Sequence, residues 1–303
     1  MKSEIISSQS PLRRYPILAF ALSFIFTGLG QVYNGHFSKG FVFLIFRVLS
    51  LLVLPFYVII YAYHVSVLFL SIIVIVQFII WILSPVEAAY SARSQNTFNL
   101  KNFNSIFIYF IYGLISSGLL IFSVLLIISF FSIETVSTEN MNPALLKNEY
   151  VVVNKYSGKN VGVGDAVIFV SKNGKAAGRI IAKDGDLVSK KGGYYINNTA
   201  LPRTIISKID LEKNGIDNSE DLFFELNGER KYPVKMKQDK SKNASVLKPV
   251  LLGNDEYLIA FDNRSTNDSF EIVKQSAITG KIEGILFSKK IRRIFNKLYL
   301  KAE

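Results

Sequence analysis

Residues 127–155 read IISFFSIETVSTENMNPALLKNEYVVVNK, and the chain changes character within them. The first five residues close a long apolar run. Glu149–Asn154 is a short run dominated by β-branched residues, the composition of a strand. Between the two, Ser, Thr, Glu, Asn and Pro accumulate, which places a boundary near Ser132–Ser137. The chain has 303 residues, and 50% of them are hydrophobic. A soluble domain of this length rarely reaches that average. The excess lies almost entirely upstream of the boundary; downstream, Lys, Asn, Asp and Gly return to ordinary soluble levels. The sequence therefore predicts an α-helical membrane domain over 1–133 followed by a mostly-β soluble domain over 134–288.

Working upstream, a helix needs roughly 20 apolar residues to cross a bilayer. Four stretches meet or approach that length, at about 15–33, 41–61, 65–83 and 106–131. The second and third are separated only by Tyr61–His64, which reads as a tight helical hairpin, and Pro55 inside the second predicts a kink. Arg13 and Arg14 before an apolar run look like the start of a cleaved leader, but no small-x-small cleavage site follows and further spans do. Lysines and arginines favour the cytoplasmic side. Lys2, Arg13 and Arg14 pull the N-terminus inside, while Arg93 and Lys101 pull the loop before the last span inside. Four full crossings cannot satisfy both. Either the N-terminus is outside, or the Gly28–Gly35 region is re-entrant or interfacial and three helices cross. Both alternatives send residue 132 onward to the outside.

Net charge is +12, and there is no cysteine. The absence of cysteine excludes disulfides, thiol catalysis and Cys-ligated metal. The two histidines, His36 and His64, both fall in the apolar half, so neither a metal site nor a His-based active site is expected, and no cofactor is. No alternation of aromatic and basic residues suggests nucleic acid. The excess positive charge fits membrane flanks, with lipid as the expected partner.

The segment Thr27–Gly35 with Lys39-Gly40 resembles the G-x-G-Q-x-Y-x-G signature of a family of small bacterial membrane domains with paired helices, and Trp81–Tyr90 resembles the close of such a domain. Its glycines would let helices approach closely.

Downstream, short apolar runs recur at Ala166–Val170, Gly178–Ile181, Gly193–Ile196, Glu256–Phe261 and Gly280–Phe287, with Gly, Asn and Asp between them. That pattern predicts an antiparallel, barrel-like β domain. In the same order, a series of boxes resembles the catalytic domain of type I signal peptidases, the S26 peptidase family. Met141–Leu145 is similar to the M-x-P-T-L part of the nucleophile box, and Asn148–Lys155 to the strand after it. Gly164–Phe169 matches G-D-I-V-V-F, and Arg179–Asp186 matches R-V-I-G-x-P-G-D. Gly253–Arg264 resembles the strand ending in G-D-N-R, Asp268-Ser269 the family's D-S, and Ile278–Ile282 its closing I-x-G-K-V. These boxes cover about half the chain. Asp262, Asn263, Arg264, Asp268 and Ser269 are thus expected in structural family roles.

The resemblance implies a Ser/Lys dyad, in which serine attacks the scissile carbonyl and a neutral, desolvated lysine takes its proton. Residue by residue, the nucleophile falls on Asn140 and the base on Gly178. A carboxamide cannot form an acyl-enzyme, and glycine has no side chain. Phe261 in place of Gly, Phe270 in place of Arg and Asp184 in place of Pro are further departures. Once one partner of such a pair is lost, losing the second costs little more, so both positions can drift. The expectation is a proteolytically inactive homologue at the bacterial cytoplasmic membrane, multi-pass, with its β domain extracytoplasmic. Its groove, with Glu139, Asn140, Met141, Pro143, Val167 and Arg179 as wall residues, would bind signal-peptide-like or other extended segments. Two alternatives remain open at this point. One is an active peptidase using Thr138, at the family's oxyanion-hole position, with Lys175 or Lys183 as base. The other is an assembly subunit presenting a surface to an unidentified membrane protein. Residues 289–303 alternate basic and apolar residues at near-helical spacing and read as a basic amphipathic tail for an anionic membrane surface or for packing on the domain.

Overall fold

The computed structural model describes residues 13–61, 67–95, 97–98, 100–213, 215–216, 221–236, 246–265, 270–296 and 298–301. The chain divides into two compact units, Met1–Tyr57 with Leu70–Ile128, and Val58–Phe69 with Ser129–Glu303.

The first unit is helical. Its elements are α1 (Pro16–Ile25), α2 (Leu29–Tyr33), α3 (Phe37–Tyr61), α4 (Val67–Ser94) and α5 (Ile106–Phe130). The first predicted span, 15–33, is not one helix. It breaks at Phe26–Gly28, where Gly28 takes a left-handed φ of +91°. At 1.5 Å per residue α1 is roughly 15 Å long, about half a bilayer's hydrocarbon core. The third predicted span ends too early at residue 83, because α4 runs through Pro85 and Glu87 to Ser94. The Tyr61–His64 connection lies, beyond Tyr61, outside the described residues. Among the described residues, two helices, Ser71–Ser94 and Ile106–Phe130, are long and apolar enough to cross a membrane by length and composition.

The glycine-rich signature explains the break. A Cβ on Gly28 would lie 2.1 Å from the Gly40 carbonyl oxygen, and one on Gly30 would lie 2.0 Å from that of Ala19. Both positions therefore admit only glycine. Gln31 accepts from Ser23 Oγ at 2.7 Å. It donates to the Ser84 carbonyl at 2.7 Å and to Glu87 at 2.9 Å. Asn34 donates to the Ala88 carbonyl at 2.7 Å, and Lys39 pairs with Glu87 at 3.1 Å. The two segments that resemble the start and close of a small membrane domain thus bind each other directly, through hydrogen-bonded polar side chains.

Among its described residues, the second unit holds fifteen strands. They are β1 (Phe131–Thr135), β2 (Tyr150–Asn154), β3 (Ala166–Ser171), β4 (Gly174–Ala182) and β5 (Leu187–Lys190). Next come β6 (Tyr194–Ile196), β7 (Thr199–Ala200), β8 (Arg203–Ile205), β9 (Leu222–Asn227) and β10 (Arg230–Lys235). Last are β11 (Leu247–Leu251), β12 (Glu256–Ala260), β13 (Phe270–Lys274), β14 (Ile278–Phe287) and β15 (Leu300–Lys301). They form a seven-stranded sheet in the order β1-β2-β14-β3-β4-β12-β13 and two four-stranded sheets, β15-β10-β9-β8 and β11-β5-β6-β7. Every strand pairing in these sheets is antiparallel. The β6–β7 hairpin turns on Asn197 and Asn198, both at positive φ, as a type I′ turn requires.

The large sheet coils. Glu134 on β1 and Lys175 on β4 pair at 3.2 Å, although four strand spacings separate them, roughly 19 Å in a flat sheet. Side chains alternate across it. Ile180 and Ile259 enter one core with Phe169, Val167 and Met141, while Ile181, Leu258 and Ala260 enter a second with Val188 and Tyr194. Because β1 is already strand, residues 131–133 belong to the β domain, not to the helical half. The terminal residues do not form an amphipathic helix. Ile291–Arg293 is a single 3-10 turn, Leu300–Lys301 pairs with β10, and Arg293 and Leu298 are buried. Of the apolar residues there, Leu298 enters the β domain's core, while Ile291, Phe295 and Leu300 are exposed.

Candidate peptide-binding site

The loop between β1 and β2 carries the residues of interest. Met141 and Leu145 anchor it in the core. Glu149 closes it by accepting from the Leu146 amide at 2.8 Å and from Arg293 Nε at 2.6 Å. Arg293 Nη2 also donates to the carbonyls of Pro143 and Ala144, at 3.3 and 2.8 Å. Asn140, at the loop's apex, is half-buried, and its carbonyl accepts from the Asn263 amide at 2.8 Å. The segment matching the family's G-D-N-R thus braces the nucleophile position through the Asn263 amide, and the Asn263 side chain donates to the neighbouring Glu139 carbonyl at 3.4 Å.

Gly178 lies on β4 opposite Val167. It shares a face with Ile180 and so points into the main core. A Cβ there would meet Ile259 Cγ2 at 2.3 Å and Phe169 Cε1 at 3.0 Å. The space a lysine stem would need is filled by two apolar side chains.

One residue on, Arg179 points to the opposite face and is fully buried. Its Nε and Nη2 donate to the two Asp262 carboxylate oxygens at 2.8 and 2.7 Å. Nη1 donates to the Gly164 carbonyl at 2.8 Å, and the guanidinium carbon lies 4.1 Å from the centre of the Tyr232 ring. Burial alone would lower the Arg179 pKa, but Asp262 more than offsets it and the pKa is raised. Arg264 continues the network by donating to Glu225 at 2.7 Å. Glu225 also receives Arg203 and Tyr232, each at 3.2 Å. Burial would raise the Glu225 carboxyl pKa; Arg264 and Arg203 overcome that and hold it below the usual range.

Of the expected groove residues, Met141, Val167 and Arg179 have no exposed face. This corrects their placement on the wall: they support it from beneath. Glu139 is exposed, Asn140 half-buried, and Pro143 buried at the edge of a separate recess. The open surface is a shallow depression lined by Glu134–Thr138, Ile168 and Lys175–Ala177. Thr138 and Lys175 both reach it, but Lys175 is exposed and paired with Glu134. Lys183 sits exposed on the Lys183–Asp186 turn and does not line it. Asp268 and Ser269 lie outside the described residues. Sequence reasoning missed Glu225 and Tyr232. The only signal was a charged residue, Glu225, set between Phe224 and Leu226 in the Phe223–Val234 hairpin.

A family model described as "Signal peptidase, peptidase S26" matches residues 110–287, more than half of the chain. The chain belongs to the signal peptidase S26 family. Among solved structures, a signal peptidase I from Enterococcus faecalis matches at 20% identity. That match covers 40% of this chain and 95% of the other, with a TM-score of 0.22. No curated protein matches the chain.

Within this S26 domain, Lys190 offers a pH handle. Burial, and then the nearby Arg264 cation, lower its pKa to about 8. Its ammonium sits over the Tyr194 and Phe270 rings at 5.2 and 5.3 Å. An unfolded lysine titrates near 10.4. Between about pH 8 and 10 the unfolded chain therefore binds more protons, and stability should rise with pH. Thermal unfolding of the full chain across that window should show the rise. In Lys190→Met the rise should flatten, and the midpoint at pH 7 should be higher.

Proposed function

We propose that this S26 family member is a multi-pass membrane protein that binds extended, signal-peptide-like segments at the outer face of the cytoplasmic membrane without cleaving them. The observation that carries the inactive part is Gly178. The base position is not merely vacant of a lysine; it is occupied by Ile259 and Phe169. Binding is supported by retention of the parts that shape the surface: the loop braced by Asn263, the coiled sheet and the depression at Glu134–Thr138.

The membrane reading is supported by α4 and α5 and by the many large apolar side chains their surfaces expose, such as Val74, Phe107 and Leu125. The break at Phe26–Gly28 favours the alternative in which the first stretch does not cross. With α3, α4 and α5 crossing, Arg13, Arg14, Arg93 and Lys101 all lie inside, and the β domain lies outside.

A second reading, catalysis by relocated residues, draws on Ser137, Thr138 and Lys175 sharing one depression. Against it, a general-base lysine must be neutral and desolvated, and Lys175 is exposed beside a carboxylate.

The test is to incubate the purified full chain in detergent with a preprotein and, separately, with a labelled signal-peptide-like peptide. Saturable peptide binding with an intact preprotein is expected. Cleavage that disappears in Thr138→Ala would overturn the inactive reading. An absence of peptide binding would overturn the binding one.

A further inference from the structure

The loop bearing Asn140 walls a second recess on its other side. Asn142 and Pro143 meet Lys235, Lys290, Arg293 and Ile216 around a volume of about 150 Å³. A cavity of that size admits one benzene-sized group, so it suits a single residue and not an extended ligand. Leu146 and Leu222 complete an apolar side, and a smaller apolar hollow adjoins it, sharing Pro143, Ile216 and Arg293. The polar side is cationic, and among the described residues none that line it is acidic. Arg293 is neutralised by Glu149. Lys235 has no carboxylate partner among the described residues. Its backbone is tied to the G-D-N-R segment: its amide donates to the Asp262 carbonyl at 2.9 Å, and its carbonyl accepts from the Arg264 amide at 2.8 Å. The lysine is therefore held in register with the strand end that braces Asn140.

We infer that this recess binds the free C-terminal carboxylate of an extended peptide, with the terminal side chain against Pro143, Leu146 and Leu222 and the carboxylate against Lys235. The inference rests on the peptide-binding reading above and adds its polarity: the chain binds ends, not interior segments. A carboxylate joined to an apolar side chain uses both halves of the lining. An inorganic phosphate or a lipid headgroup would leave the apolar half unfilled. One stretch of chain, residues 134–146, borders both the depression and the recess, so a single peptide passing over Asn140 can engage both.

Fluorescence anisotropy at pH 7 on the full chain in detergent tests this, using one labelled apolar nonapeptide ending in leucine, as free acid and as C-terminal amide. The acid should bind about tenfold more tightly, as a charge-assisted contact predicts. That preference should vanish in Lys235→Gln, whose unfolding midpoint should match wild type, and survive in Lys235→Arg. Equal affinity of acid and amide in the wild type overturns the carboxylate recess and leaves peptide binding standing. Binding of neither overturns both. Equal affinity combined with displacement by anionic phospholipid vesicles overturns the recess in favour of a lipid site.

Discussion

Asp262→Ala is expected to destabilise the β domain by about 3–5 kcal/mol, the range for removing one partner of a buried ion pair. Arg179 and Asp262 both have fully buried side chains. Without the carboxylate, the guanidinium keeps only carbonyl acceptors, Gly164 and Leu298, and no neutralising charge. Arginine cannot shed its proton to escape. Chemical denaturation of the full chain, followed by a probe in the β domain, should show the midpoint fall. Removing both partners together, as Arg179→Met with Asp262→Leu, should cost less than the sum of the single losses, because no orphan charge remains. A loss below about 1 kcal/mol for Asp262→Ala, the level of an exposed pair, would show that water reaches the pair.

The second large effect concerns reactivation. Asn140→Ser with Gly178→Lys restores the family dyad on paper, yet it should yield no preprotein cleavage and a weakened fold. Gly178→Ala alone places a methyl 2.3 Å from Ile259 Cγ2, and overpacking of that kind costs about 1–3 kcal/mol. A lysine adds a longer stem and an ammonium that would have to be buried without a partner, at further cost. Adding Ile259→Ala to the pair opens space and separates the two obstacles. Cleavage by the triple variant and not by the double one would identify Ile259 as the block. Cleavage by the double variant would show that the core yields and would remove the main support for an inactive protein.

How much of this could be read from the sequence depended on the range of the interaction. The shift at residues 127–155 marked the two-part organisation because apolar runs and β-branched runs are local signals. The six strands expected between Glu149 and Phe287 all appear, with ends moved by at most four residues. Gly178 was legible as a missing base, but not as a closed one, because Ile259 is far away in the chain and reaches it only through the β4–β12 pairing. The Arg179–Asp262 pair, 83 residues apart, was hidden for the same reason. The first span stayed ambiguous because its composition is mostly apolar, while the break depends on Gly28, Gly30 and Gly40 meeting other backbones. Glu87 fell beyond the expected end of the third span at residue 83. It is carried inside α4 because Gln31 and Lys39 bond to it. The tail misled because near-helical spacing of Ile291, Ile294 and Leu298 also occurs in a winding segment, in which Leu298 enters the core while Ile291 stays exposed.

That winding segment has a consequence for biogenesis. Arg293 completes the loop beneath Asn140, the Leu298 carbonyl caps Arg179, and β15 closes the β10 edge. Translation delivers residues 293–301 only after every strand they complete has left the ribosome. A nascent chain must therefore hold Glu149 without its arginine for nearly 150 residues of elongation, so the loop at Asn140 matures only after residues 293–301 have been made.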